Sequence, residues 1–185
     1  MVVVSFSRKA LARVVEKISK RGVEFVVIGS TAVELALNKD VFEGDLDLFV
    51  IEPSPVANED FYRSLAAEEG WEVGLTELGT LKLIANVEGE TVEVELYENI
   101  MDFNIPDEVV ANTRQASING VKVRVLHPEQ YFVLKARQGV DLDKLRNYYR
   151  QLGKLNTSLL ETTLSYFPEE SEDIAERLRS VGFKF

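Results

Sequence analysis

The sequence contains no cysteine and only one histidine, His127. Without cysteine the chain cannot form a disulfide scaffold, a thiolate zinc site or a cysteine nucleophile, and a single histidine rules out a multi-histidine metal site. No apolar run approaches the roughly 18 residues that a membrane span needs. The apolar start, residues 1–6, is too short for a signal peptide, so we expect a cytoplasmic protein without a membrane partner. The reactive groups that remain are carboxylates, hydroxyls, lysines and arginines.

Charge is distributed unevenly along the 185 residues. The net charge of −10 argues against a general nucleic-acid coat, while 45% hydrophobic residues are enough for one main core. Basic residues dominate 8–21 and 109–154, and acidic residues dominate 22–108. This segregation is typical of an acidic centre that faces basic walls, although separate solvated surfaces would give the same pattern.

Hydrophobic periodicity predicts a mixed α/β protein. Ser7 caps a first helix, and a hairpin turn joins two of the later strands. The predicted strands cover residues 24–28, 46–51, 80–87, 90–97 and 121–126. From Pro128 onward the pattern is helical, with segments near residues 128–138, 141–152, 156–165 and 170–180. We therefore expect an α/β core over residues 1–126 and a helical C-terminal extension over residues 127–185 that packs on it.

Asp45 and Asp47 are the most informative pair of residues. They lie two positions apart on a predicted strand, so both side chains project from the same face, about 7 Å apart along the backbone. Two carboxylates this close repel each other unless a cation lies between them. Hard oxygen ligands suit Mg²⁺, which binds one or two carboxylates together with substrate phosphates. Upstream, Gly29 lets the backbone approach an anion closely, and Ser30 adds a hydroxyl.

These residues resemble the nucleotidyltransferase superfamily of the DNA polymerase β type. The matching pieces are Ile28-Gly29-Ser30, Asp45-Leu46-Asp47-Leu48, and a later acid at Glu93 or Glu95. The chain looks most like the small stand-alone prokaryotic members, including those of toxin-antitoxin and phage-defence loci. Their tail, a strand that ends in hydrophobic-Pro-Glu before a helix with a lysine, is similar to residues 125–129 and Lys135. The resemblance covers residues 22–150.

The resemblance implies a mixed-sheet nucleotidyltransferase-like core and a transfer reaction. A nucleoside triphosphate such as ATP would donate its nucleoside monophosphate to a hydroxyl of an RNA, a protein or a small molecule, and pyrophosphate would leave. Two Mg²⁺ ions, with Mn²⁺ as the alternative, would be held by three catalytic carboxylates: Asp45, Asp47 and Glu95. The nucleotide would be bound by Gly29, Ser30 and Lys135.

The third carboxylate has two candidates. Strand alternation places Glu93 and Glu95 on the same sheet face, so alternation alone does not decide between them. In the family this acid lies close to the end of its strand, and ligand sites in open α/β sheets gather at strand ends. Both arguments favour Glu95.

Two further hypotheses remain open from the sequence. Lys122 and Arg124 share one strand face and, with Lys135 and Arg137, are candidates for a basic wall that receives the triphosphate or a nucleic-acid acceptor. The second interpretation is a catalytically degenerate fold that acts as a binding or antitoxin-like partner module. Glu43, which stands where the family often has a hydroxyl residue, favours that second interpretation. Both interpretations allow the protein to form a homo-oligomer.

Overall fold

The computed structural model describes residues 4–100 and 102–185. The expectation about the start of the chain rests partly on residues 1–3, which lie outside the described residues. The strands are β1 (Ser5–Ser7), β2 (Glu24–Ile28), β3 (Val41–Glu43), β4 (Leu46–Glu52), β5 (Glu72–Leu75), β6 (Leu81–Val87), β7 (Glu90–Tyr97), β8 (Arg114–Ile118) and β9 (Val121–Val125). The helices are α1 (Arg8–Lys20), α2 (Ser30–Ala36), α3 (Glu59–Glu69), α4 (Asp107–Ala111), α5 (Pro128–Gln138), α6 (Leu142–Leu152), α7 (Thr157–Ser165) and α8 (Ser171–Ser180).

Seven strands form one mixed sheet in the order β5-β6-β7-β4-β2-β9-β8, and β1 pairs with β3 in a separate two-stranded sheet. Within the large sheet β4 runs parallel to β7 and β2 runs parallel to β9, while the other neighbouring pairs are antiparallel. The central strands β4 and β2 are therefore flanked on both sides. The predicted mixed α/β fold class is confirmed.

Helix α1 shows how local sequence builds the core. The Ser7 hydroxyl accepts a hydrogen bond from the Ala10 amide at 3.1 Å, which satisfies one free donor of the first turn. Buried apolar residues recur at helical spacing and form one face of α1: Leu11, Val14, Val15 and Ile18. This face packs across β6, β7, β8 and β9, and α3 packs on the same side against β5 and β6.

The carboxylates lie on the opposite face of the sheet, which also carries buried apolar residues such as Ile28 and Phe49. On β7 the even-numbered Val92, Val94 and Leu96 are buried toward α1, so the odd-numbered residues of this strand project from the other face. Glu93 and Glu95 are among them, and they are partly exposed. The face with α1 and α3 is thus fully packed, whereas the two glutamates of β7 stay partly accessible on the other face.

The C-terminal helices form a second hydrophobic cluster, which centres on buried residues of α5, α6, α7 and α8. Val33 of α2 belongs to this cluster, and Leu134 and Tyr166 pack against both clusters. The division into two parts at residue 126 stays a prediction. Apolar side chains of the two parts are in contact with each other. No described helix combines the length and the apolar character that a membrane crossing requires.

The predicted strands and helices are all present, with bounds shifted by one or two residues. The sequence patterns did not predict the short elements β1, β3, β5 and α4. Only three to five residues form each of them, which is too few for a periodic hydrophobic signal. Strand β8 precedes the turn at Asn119-Gly120, where both residues have positive φ angles, and pairs with β9 as a hairpin.

Candidate active site

The carboxylates meet where the carboxyl-terminal part of β7 lies beside the start of β4. The two strands are parallel, with Asp47 directly opposite Glu95 and Leu46 opposite Val94. On the other side of β4, Asp47 lies opposite Ile28, the last residue of β2. The register therefore brings Asp45, Asp47 and Glu95 together and places Gly29 beside them.

Burial and mutual repulsion dominate the electrostatics of this acidic cluster. Burial, followed by contacts with the carboxylates of Glu93 and Glu95, raises the pKa of Asp45 from 3.8 to about 6. Burial and then the negative charges of Glu95 and Asp45 raise the pKa of Asp47 from 3.8 to about 8. Lys135 opposes this effect on Asp47 and is thus close enough to influence it. Without a bound cation, the cluster holds a proton on Asp47 at neutral pH.

Two neighbouring side chains fix the glutamates in different ways. The Tyr97 hydroxyl donates a hydrogen bond to Glu95 Oε2. The Lys82 ammonium donates to Glu93 Oε1 at 3.1 Å, and this ion pair lowers the pKa of Glu93. Glu93 is thus neutralised by a lysine, whereas Glu95 is oriented by an uncharged phenol. The choice of Glu95 as third carboxylate stays a prediction, and this difference in partners favours it.

Gly29 is required by the close approach of the chain to Asp47. Its φ of +69° and ψ of −163° lie in a region that L residues avoid. A Cβ atom at this position would collide with Asp47 Oδ2. The turn between β2 and α2 therefore lies directly against the acidic cluster, and the nucleotide-binding role of Gly29 stays a prediction.

A cavity of about 290 Å³ opens beside the cluster; Asp47 lines it, whereas Asp45 and Glu95 are not among its described lining residues. Gly29, Ser30 and Asp47 lie in one wall, and the basic residues Lys135 and Lys144 lie in another. Lys135 Nζ is 3.9 Å from Asp141 Oδ2, while no described acid pairs with Lys144. Arg137 also lines the cavity, although its guanidinium pairs with Glu170 at 3.0 Å. Acidic and basic groups thus face each other across a space of small-molecule size.

The basic wall differs from the one that the sequence pattern indicated. Neither Lys122 nor Arg124 is among the described residues that line the cavity. Arg124 instead donates to the Val110 carbonyl at 2.5 Å and to the Thr113 hydroxyl at 3.2 Å, so it fastens the end of α4 to β9. The part of the basic-wall hypothesis that concerns Lys122 and Arg124 stays a prediction, and these residues lie outside this cavity.

Lys144 and Tyr97 were missed as candidate residues. Tyr97 follows Glu95 by two positions on β7, so strand alternation already places it beside the glutamate. Lys144 gave no such signal, because its place in the cavity wall depends on how α6 packs against α5. His127 is the N-cap residue of α5, and its amide donates to Gln130 Oε1 at 2.9 Å, as expected for a cap rather than a base.

The donor chemistry of the cluster fits a divalent cation. Carboxylate oxygens are the ligands that Mg²⁺ prefers, and Asp45 and Asp47 lie close enough to other carboxylates for those charges to add to the effect of burial on their pKa values. As the side chains stand, no three His, Cys, Asp or Glu residues in the described ranges converge closely enough to hold a metal ion. Two aspartates completed by substrate phosphates suffice for Mg²⁺.

A mixed sheet with this strand order, a Gly-Ser turn and an Asp-x-Asp strand defines a nucleotidyltransferase-like protein. Residues 7–180 match the family described as nucleotidyl transferase of unknown function (DUF2204), and the chain belongs to that family. The resemblance that the sequence motifs indicated is thereby confirmed. No curated protein matches the sequence significantly.

Solved structures share the fold at low sequence identity. An antigenic nucleotidyltransferase-like protein from Paracoccidioides brasiliensis superposes with a TM-score of 0.55 at 16% identity, covering 96% of this chain and 95% of that one. The antibiotic-resistance factor ANT(2'')-Ia in solution gives 0.56 at 15% identity, with coverages of 94% and 97%. The crystal structure of ANT(2'')-Ia in complex with adenylyl-2''-tobramycin gives 0.50 at 17%, with the same coverages.

Proposed function

We propose that the protein transfers a nucleoside monophosphate from a nucleoside triphosphate to a hydroxyl acceptor in a reaction that depends on divalent metal. Asp45, Asp47 and Glu95 are the proposed ligands of two Mg²⁺ ions, and Mn²⁺ is the alternative. Bound divalent ions supply positive charge to the attacking and leaving oxygens of a phosphoryl-transfer reaction. The single observation that carries the proposal is the cavity in which Asp47 faces Lys135 and Lys144.

The proposed roles of the other residues follow from their places in this cavity. Ser30 and the Gly29 turn bind the outer phosphates, since both residues line the cavity next to Asp47. Lys135 and Lys144 neutralise the triphosphate and the pyrophosphate that leaves. The acceptor hydroxyl gives up its proton to Glu95, which Tyr97 orients.

Labelled nucleotides test the proposal directly. The purified protein is incubated with Mg²⁺, cell lysate and one of labelled ATP, CTP, GTP or UTP, and labelled products are separated into RNA, protein and small molecules. We expect one acceptor class to become labelled, and EDTA to abolish the labelling. The absence of both labelling and Mg²⁺-dependent nucleotide binding would instead identify a binding or antitoxin-like partner module.

Glu95→Gln is expected to reduce transfer far more than Glu93→Gln. Glu95 lies opposite Asp47 and has no cationic partner among its described hydrogen bonds, whereas Glu93 is already neutralised by Lys82. We expect a loss of about 10²–10³-fold for Glu95→Gln and less than about tenfold for Glu93→Gln. Initial rates at saturating Mg²⁺ and nucleotide compare the two. An equal loss, or the reverse order, would assign the third carboxylate to Glu93.

Lys135→Gln and Lys144→Gln are expected to weaken binding of the nucleoside triphosphate by about tenfold each, because each removes one charge that faces the phosphates. The loss should be larger at low salt than at high salt, since screening reduces what the charge contributes. Titration calorimetry with a non-hydrolysable ATP analogue measures the affinity. Lys122→Gln removes an exposed charge outside the cavity and is the matched control. If Lys122→Gln weakened binding equally, the loss of affinity would come from the change in net charge and not from the positions of Lys135 and Lys144.

A further inference from the structure

A second cavity of about 340 Å³ lies beside the first one, at the end of β7. Its walls come from the segment before α3, from the turn between β5 and β6, and from residues that follow β7. Large apolar side chains are unusually exposed around it: Val56 is 57% exposed, Leu75 is 59% exposed and Leu78 is 67% exposed. Apolar side chains gathered at a concave surface are typical of a ligand site rather than of ordinary surface.

The charged residues of this second cavity are all acidic. Glu59, Glu98 and Asp102 line it, and no described lysine or arginine does. Glu59 already pairs with Arg63 on α3, so Glu98 and Asp102 are the acids open to a ligand. Glu98 Oε1 accepts hydrogen bonds from the Ser54 hydroxyl at 2.9 Å and from the Val56 amide at 2.8 Å, and no described residue donates to Oε2.

The two cavities therefore differ in charge. The first contains Lys135, Arg137 and Lys144 and suits a triphosphate. The second would repel a triphosphate or an RNA backbone and would attract an ammonium group. A transferase that joins two substrates needs two adjacent sites, and opposite charge keeps each substrate out of the wrong one.

The cavities share part of their walls. Leu78, Tyr97, Asp102 and Phe103 line both. The Tyr97 ring stacks on Phe103 with centroids 4.9 Å apart, and its hydroxyl donates to Glu95. A molecule in the second cavity is thus separated from the acidic cluster by one aromatic side chain, and the exposed Leu78 and Asp102 form the rim over which the two spaces meet.

We infer that the second cavity is the acceptor site and that it takes a small amphiphilic molecule with an apolar body, a protonated amine and a free hydroxyl. The inference rests on the proposed function and names the substrate class that this function left open. The hydroxyl oxygen forms the new bond to the α-phosphorus, and the bond from that phosphorus to the pyrophosphate oxygen breaks. The hydroxyl proton passes to a carboxylate of the cluster, and pyrophosphate leaves. A volume of about 340 Å³ matches a small molecule rather than a folded partner.

Two matched probes test the charge selectivity of the cavity. Phenylalaninol carries an apolar ring, a hydroxyl and a protonated amine, and N-acetylphenylalaninol keeps the first two but is neutral. Each is titrated into ¹⁵N-labelled protein without nucleotide, and amide shifts are followed by NMR. We expect shifts around Thr80, Glu98 and Phe103, and an affinity at least about fivefold higher for the amine, with the difference shrinking at high salt.

Variants of the two available acids sharpen the test. In Glu98→Gln the amide oxygen can still accept the bonds from Ser54 and Val56, and Asp102→Asn changes an exposed side chain. The double variant should bind both probes with equal affinity, while Asp173→Asn, an exposed acid outside both cavities, should leave the preference intact. Equal binding of the probes to the unaltered protein, shifts confined to the Lys135 cavity, or no binding of either probe would overturn the inference.

Failure of this inference is distinguishable from failure of the proposed function. The same spectra are recorded with ATP and Mg²⁺, for which shifts around Ser30, Lys135 and Lys144 are expected. If ATP binds there and the amine does not select the second cavity, the acceptor inference is wrong and the transferase proposal stands. If the amine selects its cavity and ATP does not bind, the transferase proposal fails and the second cavity is a site for amines with another role.

Discussion

Asp45→Asn and Asp47→Asn are each expected to abolish nucleotidyl transfer, by about 10³-fold or more, while the protein stays folded. Each substitution removes a charge that the proposed metal site needs, at a centre where single charged groups are worth several orders of magnitude in rate. We expect the protein to stay folded, because the two partly buried carboxylates repel each other and each substitution removes that repulsion. Transfer rates and thermal unfolding of the same preparations test both parts.

The pH dependence of stability provides an independent check on the cluster. The pKa values of Asp45 and Asp47 lie above the ordinary 3.8, at about 6 and about 8. A raised carboxyl pKa means that the folded state favours the protonated form, so its stabilising contribution is complete in acid and is lost as the pH rises through the raised value. In EDTA the melting temperature should therefore fall as the pH rises from the ordinary carboxyl value of 3.8 to about 8, with both aspartates contributing up to about pH 6 and Asp47 alone above it.

Asp47→Asn should flatten this fall, since the amide stays neutral at every pH. Mg²⁺ should raise the melting temperature of the unaltered protein at pH 8, because it binds the ionised cluster and not the unfolded chain. The same addition should have little effect on the variant. Asp173→Asn, which removes an exposed acid outside the cluster, is the control and should keep the pH dependence of the unaltered protein. A variant that keeps the transfer rate of the unaltered protein with Mg²⁺ would contradict the mechanism.

Strand alternation was enough to predict the face on which the acidic cluster lies. Asp45, directly before β4, and Asp47 on β4 are two positions apart, as are Glu93 and Glu95 on β7, so alternation predicts that each pair shares a face. Their meeting across strands required only that β4 and β7 be neighbours in a parallel register, which the family resemblance implied. The glycine turn before α2 was equally visible, because a buried strand that ends in Gly-Ser predicts a tight turn.

Strand alternation could not predict which side chains pair with these carboxylates or line the cavity beside them. The Lys82–Glu93 ion pair depends on the register between β6 and β7, which sequence alternation leaves free to slip. Lys144 lines the cavity through the packing of α6, and Arg124 bonds instead to residues at the end of the short α4. Each miss concerns a side-chain contact between two elements, whereas each success concerns a repeat within one element.

Gly29→Ala is expected to cost about 3–5 kcal/mol of unfolding free energy and to abolish transfer by the protein that remains folded. Two effects add. The φ and ψ angles of Gly29 lie in a region that is nearly exclusive to glycine, and the new methyl group would collide with the Asp47 carboxylate. Relief of the collision requires Asp47 to leave its position, so stability and activity should fall together.

Gly22→Ala is the matched control, because Gly22 also has a positive φ, +84°, but a Cβ there would meet nothing within 4 Å. It should cost only the backbone strain, about 1 kcal/mol, and leave transfer unchanged. Urea denaturation gives the two free energies, and rates are normalised to the folded fraction. If Gly29→Ala were no more destabilising than Gly22→Ala, Asp47 would be free to move aside. The turn would then do no more than end β2, and its closeness to the carboxylate would have no part in positioning the site.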